Sequence, residues 1–272
     1  MIPRIAVLAM VMLAAMCLEA TELRPWHGNV YDLDIRGKAV LQQFQWIDTH
    51  CGQVKRPECD GFYTISALGV PKDMITVEAE LSALDSRHRL FGLQALRLTG
   101  RYFWLNDIVA DPISLATGIT VSQIFHAARQ NIATFDHGGI ACEGHVAVGK
   151  EYSCEQFWVS RWWGVIGLGI ADVGYPWLRA NLAWERNWWE RHQLKIFMDS
   201  IWGFGGHDLG LVGCFPGYGN IQYQAIDTGI RYGFRLDNNV LLTIAYAYRV
   251  YGHNCPRNVN LLQLEICYPY GL

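Results

Sequence analysis

The sequence has little charge and no surplus of basic residues. Asp, Glu, Lys and Arg make up 17% of its 272 residues, whereas an average soluble domain carries about 25%. The 22 Lys and Arg are outnumbered by 25 Asp and Glu, so the basic surface typical of nucleic-acid binding is missing and we expect no nucleic-acid partner. A hydrophobic content of 51% excludes a disordered chain, which needs low hydrophobicity and high charge.

Long apolar runs are missing as well. A helix that crosses a bilayer needs about 20 consecutive apolar residues. Beyond the N-terminus, the longest uncharged runs are residues 112–128 and 209–226, and polar side chains or glycines interrupt both of them. The low charge therefore does not come from membrane-spanning helices.

The N-terminus has the layout of a secretory signal peptide. Arg4 precedes an apolar stretch over residues 5–18, and Glu19 and Ala20 follow it. A basic residue, an apolar core and a small residue at the cleavage point are the parts that such a signal needs. We predict a signal peptide over residues 1–20 and one exported domain over residues 21–272.

Hydrophobic residues alternate with polar ones along most of the remaining chain. In residues 178–188, Leu178, Leu182 and Trp184 fall on one face of an extended chain, and Arg179 and Glu185 fall on the other. A helix would scatter these charges over all its sides, whereas a strand separates them. The same period predicts about twelve strands, roughly over residues 31–47, 62–70, 74–83, 91–104, 114–125, 139–150, 158–171, 177–189, 193–202, 221–235, 240–251 and 258–268.

Length, turns and aromatic residues favour a bilayer around these strands. Strands of about ten residues match the 9–11 that a tilted strand needs to cross it. Short predicted turns at 71–73, 190–192 and 237–239 lie on one side, and the longest connection, 203–220, lies on the other with a predicted outer loop at 50–61. Barrels place aromatic residues at both membrane interfaces, and here they end several apolar faces: Trp104, Trp177, Trp188, Trp189, Trp202, Tyr248 and Tyr268. The predicted fold class is all-β, a transmembrane antiparallel β-barrel of about 12 strands.

With this pattern, residues 30–272 resemble the outer-membrane β-barrel proteins of diderm (Gram-negative) bacteria. The resemblance rests on patterning and not on a signature motif. It implies the bacterial outer membrane as the location, its lipid bilayer as the surroundings, and the outer-membrane assembly machinery as a partner. The C-terminus departs from the pattern, because many such barrels end on an aromatic residue and this chain places Tyr268 and Tyr270 before a final Leu272.

Cysteines in an exported chain can form disulfides. Cys51 and Cys59 lie in the predicted outer loop and could close a small ring. Cys214 and Cys255 lie in neighbouring predicted outer loops and could link them. A cysteine-bearing barrel is similar to those of chlamydia-like bacteria, whose envelopes are disulfide cross-linked. No cysteine or histidine pair has the spacing of zinc ligands, and we expect neither a metal site nor a cofactor.

The polar face of the predicted strands carries charges of both signs, which must pair because desolvating an isolated charge is prohibitive. About eight strands fill a barrel with side chains and 16–18 leave a wide channel, so twelve leave room for a narrow water path. This predicts a porin-like narrow passive channel for small solutes, or a structural envelope protein. The predicted lumen-facing polar residues are Arg97, Arg101, Glu143, His145, Arg179, Asn181, Glu185, Lys195, Asp199, Asp227, Arg231, Arg235, Arg249 and Glu265.

Two other functions stay open at the level of sequence. An outer-membrane hydrolase acting on lipid or peptide would need a His beside a nucleophile or an activated water. The adjacent pairs Asp136-His137 and His207-Asp208 in predicted loops are the best candidates, but neighbouring residues on a loop are a weak signal, so we assign no catalytic residue. A soluble secreted β-protein would show the same alternation, with one face in the core and one in water.

Overall fold

The computed structural model describes residues 22–86, 89–154, 157–210 and 215–271. The predicted signal peptide lies outside these residues. None of the described helices is long and apolar enough to span a bilayer. The strands are β1 (Asp32–Thr49), β2 (Gly52–Lys72), β3 (Ile75–Ser86), β4 (Arg89–Leu105), β5 (Ser114–Ile124), β6 (Ile140–Cys154), β7 (Phe157–Ala171), β8 (Trp177–Trp188), β9 (His192–Phe204), β10 (Gln222–Arg235), β11 (Leu241–His253), β12 (Pro256–Arg257) and β13 (Asn260–Gly271).

The strands form one closed antiparallel barrel. Each long strand pairs with the next one in the chain, and β1 pairs with β13 from Asp32 opposite Gly271 to Gln43 opposite Asn260. The two-residue β12 pairs only with Trp46 and Ile47 beside the wall, so twelve strands of the described chain make up the barrel. The prediction of a 12-stranded antiparallel barrel is confirmed.

The two ends of the barrel differ. One end, which we call the turn end, carries the start of β1, the end of β13 and the links β2–β3, β8–β9 and β10–β11. The opposite end, the loop end, carries the link between β5 and β6, with a short helix α1 (His126–Arg129), and the link between β9 and β10. The two longest connections therefore lie at the same end, as in outer-membrane barrels, although the link at residues 106–113 makes the turn end less uniform.

The predicted outer loop at 50–61 is wrong. β1 runs to Thr49 and β2 starts at Gly52, so a tight turn joins two strands that project beyond the wall. Residues 52–60 of β2 pair with β1 on one side, but the pairing of β2 with β3 begins only at Gly61. The alternation of hydrophobic residues does not reveal this part of the strand, because its free edge carries Lys55, Arg56 and Pro57. Charged residues and proline on a free edge discourage pairing with another chain.

The outer face of the wall is apolar. Ile65, Leu98 and Ile166 are 65%, 52% and 62% exposed, and Val, Ile, Leu and aromatic residues occupy similar positions on most strands. A monomeric protein in water does not carry an apolar surface of this extent, so the soluble secreted protein does not fit this fold.

Aromatic residues follow the predicted interface positions with one exception. Trp104, Trp189 and Tyr268 are exposed on the outside. Trp177 is buried, because the alternation of β8 places it on the inner face with Arg179, where its ring stacks on His137. Its assignment to an apolar outer face was therefore wrong.

Loops close the loop end from within. Tyr218 of the β9–β10 link is fully buried, and its hydroxyl donates to the carbonyl oxygen of Ile132 in the β5–β6 link at 2.8 Å. Phe135 of the β5–β6 link stacks on Tyr223 with ring centroids 5.1 Å apart. Together with Phe44, these residues belong to one hydrophobic core inside the barrel.

Replacing Leu98 by Arg tests the lipid-facing assignment. Leu98 lies near the middle of β4 on the outer face, and an arginine at the bilayer midplane of a barrel costs about 2–4 kcal/mol. We expect the free energy of unfolding in lipid vesicles to fall by about that amount, measured by urea titration and by gel migration of unheated samples. Asn238→Arg in the exposed β10–β11 turn is the control and should change little; equal stability of both variants would contradict a lipid-facing wall.

Candidate functional site: a chamber inside the barrel

A segment before β1 enters the barrel from the turn end. Its first described residue, Glu22, accepts a hydrogen bond from Lys195 Nζ at 2.6 Å and also pairs with Arg231 and Arg24. Leu23 packs beside Glu22 in a second hydrophobic core with Trp163. We call residues 22–31 the N-terminal segment.

The rest of the N-terminal segment crosses the turn end. The ring nitrogen of Trp26 donates to Asp107 Oδ1 at 2.8 Å, on the link between β4 and β5. Arg101 donates to the carbonyl oxygen of Arg24 at 3.2 Å. The ring of His27 lies edge-on to Phe103, with centroids 4.7 Å apart. The segment is therefore anchored at several points and partly covers this end of the barrel.

Glu22 is held as a carboxylate. Burial alone would raise the pKa of Glu22, but the charges of Arg231, Arg24 and Lys195 lower it well below its usual value. A second carboxylate, Glu185, lies 3.3 Å from Arg24 and 3.6 Å from Arg231. Two acids and three bases thus form one network, as buried charges require.

The structure thereby brings three predicted residues, Glu185, Lys195 and Arg231, around a partner that sequence reasoning missed. Glu22 was not predicted as an inner-face residue because it precedes the first predicted strand, where no alternation indicates an inner face. The only signal was a charged pair, Glu22 and Arg24, in the short stretch between the predicted signal peptide and the barrel.

Other predicted residues form separate ion pairs on the inner face. Arg249 binds Asp227 through two hydrogen bonds, from Nε at 2.7 Å and from Nη2 at 2.9 Å. Arg97 donates to Glu80 Oε1 at 2.5 Å. The bidentate geometry fixes the guanidinium of Arg249 and adds strength to the pair.

Glu143 lies at the centre of another group. It accepts a hydrogen bond from the ring nitrogen of Trp177 at 2.9 Å and lies 3.4 Å from Arg179 Nε. Asn181 donates to Asp199 on the neighbouring strand. Glu143, Arg179, Asn181 and Asp199 are among the residues predicted on the inner face of β6, β8 and β9.

The remaining predicted residues have fewer interactions in the described structure. Arg101 donates to Thr76 at 3.1 Å, and Glu265 accepts from Gln263 at 3.2 Å. His145 is buried with no hydrogen-bond partner on either ring nitrogen. Arg235 is partly exposed at the last position of β10.

A chamber of about 180 Å³ lies between the two partly covered ends. Glu22 and Leu23 form its floor, and Phe135 and Asp136 of the β5–β6 link form its roof. Its wall carries the ion pair Arg249–Asp227 and, beside it, small and apolar side chains such as Ala245. The chamber is the best candidate for a functional site in the described molecule.

The comparisons with known proteins point to a fold and to no family. No protein-family model and no curated protein matches the chain. The fold is similar to an outer-membrane channel from Pseudomonas putida F1, with a TM-score of 0.64 and 11% identity over 93% of this chain and 100% of that chain.

Two porins are similar as well. The NanC porin has a TM-score of 0.54 and 8% identity over 87% of this chain and 98% of its own. The KdgM porin has a TM-score of 0.51 and 7% identity over 88% of this chain and 99% of its own. The chain has an outer-membrane β-barrel fold. At such identities the likeness concerns the fold alone.

The barrel does not form the predicted ring between Cys51 and Cys59. Cys51 lies in the turn between β1 and β2, Cys59 lies on β2 opposite Gln43, and both thiols are free. An extended strand separates two positions that a flexible loop would have let meet. Cys214 lies outside the described residues, so its link to Cys255 stays a prediction; burial raises the pKa of the Cys255 thiol to about 12.

The acid and the His of each candidate pair have different hydrogen-bond partners in the described structure. His137 stacks on Trp177 and lies 3.0 Å from the Tyr223 hydroxyl, and burial, with the charge of Arg179, lowers the pKa of His137 to about 3. Asp136 instead accepts a hydrogen bond from Gln94 at 3.3 Å.

In the second candidate pair, His207-Asp208, the two residues also have different partners. Asp208 binds His50 and Asn254, at 3.0 and 2.8 Å, rather than its neighbour His207. In the described part of the chain, no group of three or more His, Cys, Asp or Glu is arranged to hold a metal ion.

Replacing Glu22 by Gln should release the N-terminal segment. The change removes the carboxylate that Lys195, only 3% exposed, binds, and an unpaired buried charge costs about 3–5 kcal/mol. We expect chymotrypsin to cleave the folded variant after Trp26 and to spare this bond in the wild-type barrel. Asp237→Asn removes the exposed pair with Arg191 at 2.6 Å and should leave the bond after Trp26 protected; continued protection in Glu22→Gln would show that the network does not hold the segment.

Proposed function

We propose that the protein is an integral outer-membrane protein that works as a narrow passive channel for small solutes. The observation that carries the proposal is a chamber lined by charged residues inside a wall whose outside is apolar. Water and polar solutes need such an interior, and lipid needs such an exterior. The predicted lumen-facing residues then form the wall of the solute pathway.

The structure corresponds in this proposal to a narrowed state of the channel. The loops narrow the loop end, and the N-terminal segment lies across part of the turn end. Movement of either one would widen the path through the chamber. Because the charges inside are paired, with both signs present, we expect weak ion selectivity in the open state.

The proteins of similar fold support this proposal by analogy. They are described as an outer-membrane channel and as porins, and one KdgM structure is a complex with a disordered oligogalacturonate. Export by the predicted signal peptide and insertion by the outer-membrane assembly machinery are part of the same proposal. A place in the chlamydia-like group rests on the cysteine content alone and stays a prediction.

A structural envelope protein is the second candidate. The observation in its favour is that both ends are covered from within, by residues that belong to hydrophobic cores. A hydrolase has less support, because in the described structure the His137 ring contacts Tyr223 and Trp177, and His207 makes its hydrogen bonds through its backbone.

Conductance in planar bilayers tests the channel. We expect wild-type protein to give small, infrequent, discrete steps and Glu22→Gln to raise the open fraction severalfold, because the floor of the chamber is released. Asp237→Asn, at an exposed turn, should behave as wild type. Folded protein that never conducts, as wild type or as Glu22→Gln, would refute the channel and favour the structural protein.

The same recordings should depend on pH through Glu22. Its pKa is lower in the folded than in the unfolded chain, so its contribution to closure is fully present above the unfolded value of about 4.3 and is lost as pH falls through the folded value. We expect the open fraction of wild type to rise on acidification below about pH 4, and that of Glu22→Gln to lack this rise. An identical response of both proteins to acid would assign the effect to other carboxylates.

A further inference from the structure

The chamber has a polar part with hydrogen-bonding atoms that have no partner. Gln94 Oε1 and Asn181 Oδ1 are buried acceptors without a hydrogen bond in the described structure. Both residues line the chamber. Since buried polar groups are normally satisfied by protein, water or a ligand, these atoms mark where a hydrogen-bonding group would be held.

A second part of the wall is apolar and continuous. Val40 on β1, Leu261 on β13, and Ala245 and Ala247 on β11 line the chamber. The three strands are neighbours in the barrel, and Val40, Ala245 and Ala247 are 2%, 4% and 6% exposed. A fully hydrated ion gains no free energy from contact with such a patch, whereas the apolar body of a solute does.

The charges around the chamber cancel. Four basic and four acidic side chains line it: Arg97, Arg179, Lys195 and Arg249, and Glu22, Asp136, Asp199 and Asp227. The strongest contacts are made among themselves, as in Arg249 with Asp227 and Lys195 with Glu22. A charged solute would lose its hydration and find no free charge of opposite sign in return.

The volume limits the size of the occupant. A protein cavity of about 150 Å³ holds one benzene molecule, so a chamber of 180 Å³ holds a molecule only somewhat larger. From these four properties we infer that the chamber binds small uncharged molecules with an apolar body and one amide- or alcohol-type head. The inference rests on the proposed channel function and names the class of solute that the channel selects.

Calorimetry on the refolded full chain in detergent tests the inference with three molecules of nearly equal size, about eight non-hydrogen atoms each. They are 4-methylpentanamide, which has the inferred chemistry, 4-methylpentanoate, which carries a charge, and succinamide, which lacks the apolar body. We expect 4-methylpentanamide to bind at least about tenfold more tightly than either of the others.

Two variants and a control connect this binding to the chamber. Ala245→Leu fills part of the volume and should weaken 4-methylpentanamide about tenfold. Ala67→Leu adds the same atoms on the lipid-facing side of β2, where Ala67 is exposed, and should leave binding unchanged. If Ala245→Leu fails to fold, Val40→Thr keeps the side-chain volume, makes the wall polar and should reduce the preference over succinamide.

The outcomes separate this inference from the channel itself. Equal affinities for the three molecules, no binding of the amide, or full binding by a folded Ala245→Leu variant would overturn the inferred solute class. Selective binding by a protein that neither conducts ions nor lets 4-methylpentanamide enter liposomes would support the inferred solute class and refute the channel. Conductance without binding of the amide would support the channel and refute the inferred solute class.

Discussion

Closure of the sheet is the constraint on which the rest of the structure depends. In lipid, no water can satisfy a backbone N–H or C=O group, so every strand needs two neighbours. The pairing of β1 with both β2 and β13 supplies the last of them. Once the sheet is closed, alternate side chains must face either lipid or a confined interior, and charges that the lipid excludes are forced together inside.

Confinement explains the chemistry of the interior. Arg249 with Asp227, and Glu22 with Lys195 and Arg231, are pairs of groups that could not be desolvated singly. On the wall, Lys195 and Arg231 lie near one carboxylate, Glu185. The N-terminal segment adds a second carboxylate, Glu22, so the same segment balances these bases and partly covers the turn end.

The predictability of each part follows from the range of the interactions involved. Strand positions and the inner or outer side of Arg179, Glu185 and Lys195 follow from alternation, which is local. The pairing partners are non-local: Glu22 meets Lys195 across most of the chain, and Trp177 meets His137 through a loop that folds inward. The β1–β2 turn was missed because Lys55, Arg56 and Pro57 interrupt the hydrophobic pattern while the backbone remains extended.

The sequence by itself determined an all-β barrel with an apolar outside and a charged inside, because a period of two needs only neighbouring residues to be recognised. It also determined the absence of a zinc-type ligand spacing. Only the tertiary structure decided that the loop end and the turn end are covered from within, that a chamber remains between them, and that Cys51 and Cys59 are apart. The physical reason is that these features depend on where segments distant in sequence meet in space, and a closed barrel brings all its inner faces to one axis.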